Sequence, residues 1–163
     1  MYYVNYEVTD TDGNVSNRTL PVKVVDSMPP QITLNGQEVV IIDLGTRFKD
    51  PGAIAVDALD GQVSVFADSD FFPSRYGQYT ITYRSVDAAG NVSTANRYIH
   101  THVKAGGDYM GMDLFGAELS GADLKGARFL GSYLSGADLS ASDLRESNLA
   151  LSLIHISEPT RPY

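Results

Sequence analysis

Apolar residues recur along this chain with two different spacings, and the change between them falls close to residue 105. Before it, apolar and polar residues alternate in short runs. The clearest run covers residues 78–83, where Tyr79, Ile81 and Tyr83 share one face and two threonines share the other. In residues 38–42 a glutamate is followed by four β-branched apolar residues, a run that is too short for a helix. The pattern predicts short β-strands and no helix in this first part.

After the change, a large apolar residue occupies every fifth position, and a small residue or a methionine stands two positions before it. A period of five fits neither a helix nor a strand, because a helix would rotate the series by about 140° at each repeat. A coil whose straight sides each hold one repeat keeps both positions inside. The large residues of this series are Leu114, Leu119, Leu124, Phe129, Leu134, Leu139, Leu144 and Leu149.

A longer repeat, which we call the long repeat, lies in the first part of the chain. Residues 6–16 return as residues 83–93 with the same tyrosine, aspartate and Gly-Asn-Val-Ser positions. The pattern predicts one complete copy of a repeat and the end of another. We expect residues 1–26 to be the last two strands of a truncated preceding repeat, and residues 27–104 to be a complete domain.

Two local features favour a β-sandwich of the immunoglobulin (Ig) type for this complete domain. Tyr79 fits the place where Ig folds have a corner tyrosine, and Ile81 then occupies the position of their second core cysteine. The segment Asp87-Ala-Ala-Gly90-Asn91 predicts the turn of a hairpin that follows this strand. Strand lengths and turn spacing agree with this fold.

Residues 27–104 also share a set of spaced motifs with a known family. The motifs are Pro30-x-Ile32-x-Leu34-x-Gly36, Gly45, Asp50-Pro51-Gly52-Ala53, Ala55-x-Asp57, Asp60-Gly61, Gly77-x-Tyr79 and Asp87-x-x-Gly90-Asn91. They resemble the bacterial Ig-like repeats known as DUF5011, which are related to HYR-type surface modules. The resemblance implies tandem repeats in secreted or cell-wall proteins, used as spacers or adhesive stalks.

We call the second part of the chain, residues 105–150, the period-five segment. Its rhythm resembles the pentapeptide-repeat family, whose pattern is A-(D/N)-L-x-x. The resemblance implies a right-handed quadrilateral β-helix with four repeats per coil, so the segment would make about two coils and be truncated. Asp113, Asp123, Asp138, Asp143 and Asn148 match the middle position of the pattern, whereas Glu118, Arg128 and Tyr133 depart from it. We expect these departures to matter little.

Residues 151–161 break both rhythms and resemble the in-frame translation of a sequencing adapter. We therefore expect residues 151–163 to be a disordered tail outside the fold. The expected architecture is all-β: an Ig-like β-sandwich followed by a short right-handed quadrilateral β-helix.

Composition and charge restrict the function. The net charge of −8 argues against binding to a phosphate backbone, which depends on lysine and arginine. The absence of cysteine excludes disulfides, cysteine-bound zinc and thiol nucleophiles. Serine, histidine and aspartate occur without a Gly-x-Ser-x-Gly elbow or another catalytic signature. The sequence thus predicts a protein that is not an enzyme and that needs no cofactor.

Metal binding is the weaker interpretation of two groups of residues. Several aspartates stand in predicted turns, and Asp57 and Asp60 are the best candidates for calcium, which prefers six to eight oxygen ligands. Aspartate is also an ordinary turn residue. His100 and His102 lie on one face of a strand, but a metal site needs a third ligand, and an exposed strand face is the simpler explanation.

The sequence predicts a non-catalytic structural or adhesive repeat module of a secreted or cell-surface bacterial protein. Its expected partners are neighbouring Ig-like repeats in the same chain, and protein or glycan ligands at a cell surface. Two alternatives stay open. Some pentapeptide-repeat proteins resemble DNA and bind a topoisomerase, and the period-five segment has seven acidic and three basic residues. The chain could also be the non-catalytic appendage of a secreted enzyme.

Overall fold

The structure is a computed structural model that describes residues 1–154, and this part consists of strands and turns without a helix. Accordingly, no helix in these residues is long and apolar enough to cross a membrane. The part of the predicted tail from residue 155 to 163 lies outside the described residues. The strands are β1 (Tyr2–Thr9), β2 (Val15–Val22), β3 (Gln31–Leu34), β4 (Val39–Asp43), β5 (Ala53–Asp57), β6 (Gly61–Val63), β7 (Val65–Ser69), β8 (Gln78–Val86) and β9 (Val92–His102).

Two open sheets make up the domain predicted at residues 27–104. One sheet has the order β3-β5-β6, and the other has the order β4-β9-β8-β7. Neighbouring strands are antiparallel, except that β4 runs parallel to β9 from the pair Val39–Tyr98 to the pair Asp43–His102. The parallel pair brings a strand from the start of the domain beside the strand that ends it.

The core of this domain lies between the two sheets. Alternation along β8 places Tyr79, Ile81 and Tyr83 inside, while Thr82 is exposed. Burying these side chains and Ile99 of β9 removes their apolar area from water, which stabilises the fold. The partly buried residues packed against them come from both sheets and the loops: Ile32, Leu34, Ile42, Phe48, Ala53, Val65 and Phe71.

The hairpin β1–β2 stands apart from both sheets. It pairs Tyr2 with Val22, and the same pairing returns in the next copy of the long repeat between Tyr79 and Ile99. The two hairpins therefore share one register along their common length. All residues of β1 and β2 are exposed, in contrast to β8 and β9.

In the period-five segment the chain returns beside itself after every four repeats. Parallel bridges join each side of the coil to the side four repeats later. Each bridge is accompanied by backbone hydrogen bonds, such as Leu114 N–H to the carbonyl of Tyr133 at 2.8 Å. Four repeats thus make one circuit. The bridged pairs are Asp108–Arg128, Asp113–Tyr133, Glu118–Asp138, Asp123–Asp143, Arg128–Asn148 and Tyr133–Leu153. Residues 151–154, which were predicted to be disordered, continue this pattern.

The series of large apolar residues points inward, but its burial changes along the chain. The first five members, from Leu114 to Leu134, are fully buried, whereas Leu139, Leu144 and Leu149 are only partly buried. Each buried member has its counterpart in the next circuit within the described residues, and the last three have none there. At the small position, serine replaces alanine where its hydroxyl can donate to the carbonyl three positions earlier, as Ser132 does to Phe129 at 2.8 Å.

Each corner of the coil contains a residue with a left-handed backbone. Gly106 is the first of seven consecutive corners held by glycine, with φ between 64° and 72°, because glycine adopts positive φ without strain. The next three corners are Ala141, Glu146 and Leu151, with φ of 54°, 61° and 58°. These three residues adopt the same left-handed conformation as the glycines, at the steric cost that a side chain imposes in that conformation.

The middle position of the repeat has a structural role that the sequence interpretation missed. Asp113 Oδ1 accepts a hydrogen bond from the backbone N–H of Phe115 at 3.0 Å, and Asp138 accepts one from Ser140 at 2.9 Å. Asn148 does the same for Ala150. The carboxylate or amide thereby satisfies an N–H group in the corner, which a departure such as Tyr133 cannot do.

The two parts of the chain share one core where they meet. Leu44 and Val103 of the first part are buried in a single cluster with Tyr109 and Leu114 of the period-five segment. Tyr109 stacks on Phe129 with ring centroids 5.3 Å apart. Since Val103 directly follows β9, the connection between the two parts does not separate two independent cores.

The backbone ladder is also continuous across this junction. Asp113 N–H donates to the carbonyl of Ser74 at 3.0 Å, and Tyr76 N–H donates to the carbonyl of Asp113 at 2.8 Å. Arg75 consequently forms a parallel bridge with Asp113, which in turn bridges Tyr133. The loop before β8 thus adds one rung to the side of the coil that contains Asp113.

Candidate functional site

The corner tyrosine makes the backbone contact that Ig folds use. The Tyr79 hydroxyl donates to the carbonyl of Arg75 at 2.6 Å, across the loop that leads into β8. Burial raises the pKa of this phenol. Gly77 N–H donates to Thr101 Oγ1 at 2.7 Å beside it, and Ile81 fills the core position two places on. This corner fixes the loop that carries the first rung of the coil.

The turn between β8 and β9 is held by one aspartate and one asparagine. Asp87 Oδ1 accepts from the backbone N–H of Asn91 and Oδ2 accepts from Asn91 Nδ2, both at 2.7 Å. Gly90 takes φ of 94° between them. Burial raises the pKa of Asp87, but the hydrogen bonds from Asn91, Gly90 and Ala89 together lower it below its ordinary value. The turn therefore stabilises the ionised carboxylate.

The first hairpin contains the same turn. Asp10 Oδ1 accepts from the N–H of Asn14 at 2.8 Å, and Asp10 Oδ2 accepts from Asn14 Nδ2 at 2.9 Å. Hydrogen bonding from Asn14 lowers the pKa of Asp10 as well. Asp10 and Asn14 are exposed, whereas Asp87 is buried.

Three aspartates converge at the point where the first hairpin connects to the complete domain. Carboxylate oxygens of Asp26, Asp57 and Asp87 lie within 4.8 Å of one another. The structure therefore combines Asp57 with Asp26 and Asp87, and Asp60 instead accepts a hydrogen bond from Ala88 N–H at 2.7 Å. Oxygens so arranged can bind a divalent cation such as Ca²⁺.

Hydrogen bonds within the chain already occupy most of these oxygens. Asp57 Oδ1 accepts from Leu59 N–H at 2.8 Å and from Asp60 N–H at 3.0 Å, and both Asp87 oxygens bind Asn91. Turn formation explains the positions of Asp57 and Asp87 without an ion. The cluster therefore lies where the hairpin connects to the domain, and the hydrogen bonds that its carboxylates accept stabilise the turns of the backbone.

A fully buried arginine links the two sheets, and sequence reasoning did not find it. Arg97 of β9 is 0% exposed, and its Nη1 binds the carboxylate of Asp50 and donates to the Tyr83 hydroxyl at 2.7 Å. Nε donates to the carbonyl of Gln37 at 2.9 Å, and Nη2 donates to that of Asn35 at 2.6 Å. Because a buried charge is costly when unpaired, these contacts depend on each other.

The Tyr83 phenol belongs to the same network. It donates to Asp50 Oδ1 at 2.6 Å, and the Arg97 guanidinium carbon lies 5.4 Å from the centre of its ring. Burial and the neighbouring Asp50 carboxylate raise the pKa of Tyr83 to about 12. The phenol consequently stays protonated at neutral pH and keeps its donor role.

His100 and His102 occupy the outward face of β9. His102 is exposed, and its Nδ1 lies 3.6 Å from Asp43 Oδ1, while Lys104 forms an ion pair with the same aspartate. The hydrogen bond from Lys104 lowers the pKa of Asp43. His100 is half-buried and stands between Ile41 of β4 and Gln78 of β8 in the sheet register.

This strand face forms one wall of a cleft, the junction cleft, at the boundary between the two parts of the chain. The cleft has a volume of about 530 Å³. Ile41, Gln78 and His100 line one wall, and Phe115 and Glu118 of the period-five segment line the other. It combines an exposed aromatic ring with amide, imidazole and carboxylate groups.

The family comparisons agree with both halves of the chain. Residues 32–101 match the model of the bacterial surface protein Ig-like domain, and residues 113–149 match eight copies of the pentapeptide repeat. Both resemblances drawn from the sequence are thus confirmed.

Two curated relatives match the first part of the chain. An uncharacterized 81.3 kDa protein of Acholeplasma phage L2 is 30% identical over 99 residues, which cover 55% of this chain and 13% of that protein. Hyalin of Strongylocentrotus purpuratus is 35% identical over 100 residues, which cover 56% of this chain and 8% of hyalin. The chain therefore spans only a small part of the length of these relatives.

Solved structures with similar segments align over less than half of the chain. The lipoprotein BT2262 from Bacteroides thetaiotaomicron has a TM-score of 0.41 at 20% identity, and the alignment covers 45% of this chain and 38% of the lipoprotein. The structure of CBM51-2 with GlcNAc and INT domains from Clostridium perfringens ZmpB has a TM-score of 0.37 at 26% identity, covering 46% and 17%. By its family matches, the chain contains a segment similar to the bacterial surface protein Ig-like domain, followed by a segment similar to pentapeptide repeats.

Proposed function

We propose that this chain is a rigid, non-catalytic structural or adhesive module of a secreted or cell-surface bacterial protein. The match to a bacterial surface Ig-like domain supports the location. The continuous core and ladder at the junction support the mechanical part of the proposal. An element that sets a distance or presents a surface must resist bending, and a shared core resists it better than a flexible linker does.

The long repeat supports an array of such domains. The hairpin β1–β2 repeats the register and the turn of β8–β9, and it joins the complete domain at the cluster of Asp26, Asp57 and Asp87. We propose that the hairpin belongs to a neighbouring Ig-like repeat, which is then the nearest partner of this domain. Asn91 Nδ2, at 3.4 Å from the carbonyl of Asp26, helps to fix the angle between them.

For the period-five segment, the finer architecture in this proposal is a right-handed quadrilateral β-helix of about two coils. Parallel bridges at an offset of four repeats support four sides per circuit. The buried series from Leu114 to Leu134 supports an inward-facing core. In the proposed module this coil extends the rod beyond the Ig-like domain and presents further surface.

The location can be tested on cells that carry the intact gene. An epitope placed at the exposed turn around Gly13 is expected to be labelled by antibody on unbroken cells and removed by added protease. This turn is suitable because residues 10–14 are all exposed, and an insertion beside Gly13 keeps the glycine that a φ of 83° favours. A cytoplasmic protein carrying the same epitope is the control that should stay unlabelled. Recovery of the product only in the cytoplasm would refute the proposal.

A further inference from the structure

We propose that the junction cleft binds a neutral saccharide, with Phe115 as the stacking platform. This inference deepens the proposed adhesive function and rests on it for its biological role. The volume of about 530 Å³ falls within the range of about 300–1,000 Å³ typical of small-molecule sites.

The sheet wall of the cleft is a row of side chains in register. Ile41, His100 and Gln78 lie side by side on β4, β9 and β8. Gln78 offers an amide that both donates and accepts, and His100 offers an imidazole with the same capacity. Within residues 1–154, neither side chain makes a hydrogen bond to another protein group, so both are available to a ligand.

The opposite wall comes from the turn at Phe115 and Gly116 of the period-five segment and from Glu118. Phe115 is 65% exposed and belongs to neither apolar core. A large aromatic residue is unusual there, because most residues at this position of the repeat are small or polar. Glu118 stands three positions on, and its backbone carbonyl lies 3.5 Å from the Tyr76 hydroxyl. The two walls are held at a fixed distance because the Ser74–Tyr76 loop bridges Asp113 next to them.

These groups match the chemistry of a pyranose ring. A pyranose has a face of C–H groups that packs against an aromatic ring, and hydroxyl groups around its edge that both donate and accept hydrogen bonds. Phe115 suits the face, and Gln78, His100 and Glu118 suit the edge. Among the described residues that line the cleft there is no lysine or arginine, while Glu118 is acidic. The site therefore favours a neutral saccharide over an anionic one.

The proposal can be tested with the purified chain by following backbone amide signals in NMR titrations. The probes are lactose, cellobiose and N,N′-diacetylchitobiose, with 3′-sialyllactose as the anionic counterpart. At least one neutral disaccharide is expected to shift the amides of Gly77, Thr101 and Gly116, which line the cleft. The anionic probe is expected to shift them less. The absence of shifts with every neutral probe at millimolar concentrations would overturn the proposal.

Two matched variants locate the site. Phe115→Ala is expected to weaken binding at least about tenfold, because it removes the platform. Phe66→Ala removes an equally exposed phenylalanine, 66% exposed on β7 outside the cleft, and is expected to leave binding unchanged. Unchanged binding in Phe115→Ala would refute the cleft as the site. The outcome of the binding experiment is independent of the cell labelling above. The purified chain can bind a saccharide even if it is not displayed on cells, and it can be displayed on cells without binding one.

Discussion

The hairpins β1–β2 and β8–β9 are two copies of one sequence unit with opposite environments. They share their register and their aspartate–asparagine turn. Tyr79 and Ile81 are 9% and 4% exposed, whereas their counterparts Tyr2 and Val4 are 67% and 41% exposed. Register and turn therefore arise from the local sequence. Burial arises from the sheet β3-β5-β6, which covers only the second hairpin.

This contrast makes the first hairpin an internal control for the second. A substitution in β8 or β9 changes both the hairpin and the core of the domain. The same substitution, or the reverse one where the two copies differ, changes an exposed hairpin alone when it is made at the equivalent position of β1 or β2. The difference between the two effects on the unfolding of the Ig-like domain measures what packing adds to local structure.

The largest difference is expected at the position of the buried arginine. Arg97→Leu leaves the Asp50 carboxylate and the carbonyls of Asn35 and Gln37 without their partner, so the free energy of unfolding should fall by about 3–5 kcal/mol. The matched change Leu20→Arg, at the equivalent position of β2, should alter it by less than about 0.5 kcal/mol. Urea unfolding followed by circular dichroism measures both. Equal effects would contradict the assignment of Arg97 to the core.

A smaller difference is expected from a single hydroxyl group. Tyr83→Phe removes the donor to Asp50 and the acceptor for Arg97, which should cost about 1–3 kcal/mol. Tyr6→Phe, its counterpart in β1, should cost nothing measurable because the Tyr6 side chain is 53% exposed. Thermal unfolding of the two variants at one pH gives the comparison. A neutral effect of Tyr83→Phe would show that water replaces the hydroxyl in the network.

The turn should show a still smaller difference. Asn91→Ala removes the side-chain hydrogen bond to the buried Asp87 and should destabilise the domain by about 1 kcal/mol. Asn14→Ala removes the same bond in an exposed turn, where water takes its place, so its effect on domain unfolding should be close to zero. Hydrogen exchange of the amides in each turn separates local opening from global unfolding. Equal global effects would indicate that the first hairpin unfolds together with the domain.

The smallest and most specific difference is expected in how domain stability depends on pH in the acid range. The pKa values of Asp10 and Asp87 are both lowered, so each carboxylate stabilises its turn above its unfolded pKa near 3.8 and loses that contribution as the pH falls through the lowered value. Of the two carboxylates, Asp87 is buried in the folded domain and Asp10 is exposed. Asp87→Asn should therefore flatten the loss of domain stability below about pH 4, and Asp10→Asn should leave it unchanged. Melting temperatures measured against pH decide this, with NMR titration of both carboxyls as the check that both turns are formed.

The sequence predicted the local features because they repeat. Alternation in residues 78–83 placed Tyr79, Ile81 and Tyr83 on one face, and the structure buries all three. The period-five series from Leu114 to Leu149 predicted a coil with an apolar interior, although it could not show that the last three leucines are less buried. The burial of each leucine depends on whether another circuit packs above or below it. The periodicity of the sequence carries no information about that packing.

Non-local contacts escaped prediction. The long repeat gives no indication of the role of Arg97, because the equivalent residue in the preceding copy is Leu20 and the arginine is therefore not repeated. The predicted turns make Asp57 and Asp60 the best calcium candidates, whereas the fold brings Asp57 together with Asp26 and Asp87. The contact between the two parts of the chain could not be predicted from the sequence either. Its ladder joins Ser74–Tyr76 to Asp113, and all of β8 and β9 lie between them in the chain.

The parallel pairing of β4 with β9 has a mechanical consequence. β4 lies near the entry of the chain into the domain and β9 at its exit, so tension between the two ends pulls these strands past each other along their length. Five residue pairs, from Val39–Tyr98 to Asp43–His102, then carry the load together in shear instead of opening one at a time. Since forced rupture follows the unfolding rate, this arrangement should make the domain strong under stretching even if its equilibrium stability is ordinary.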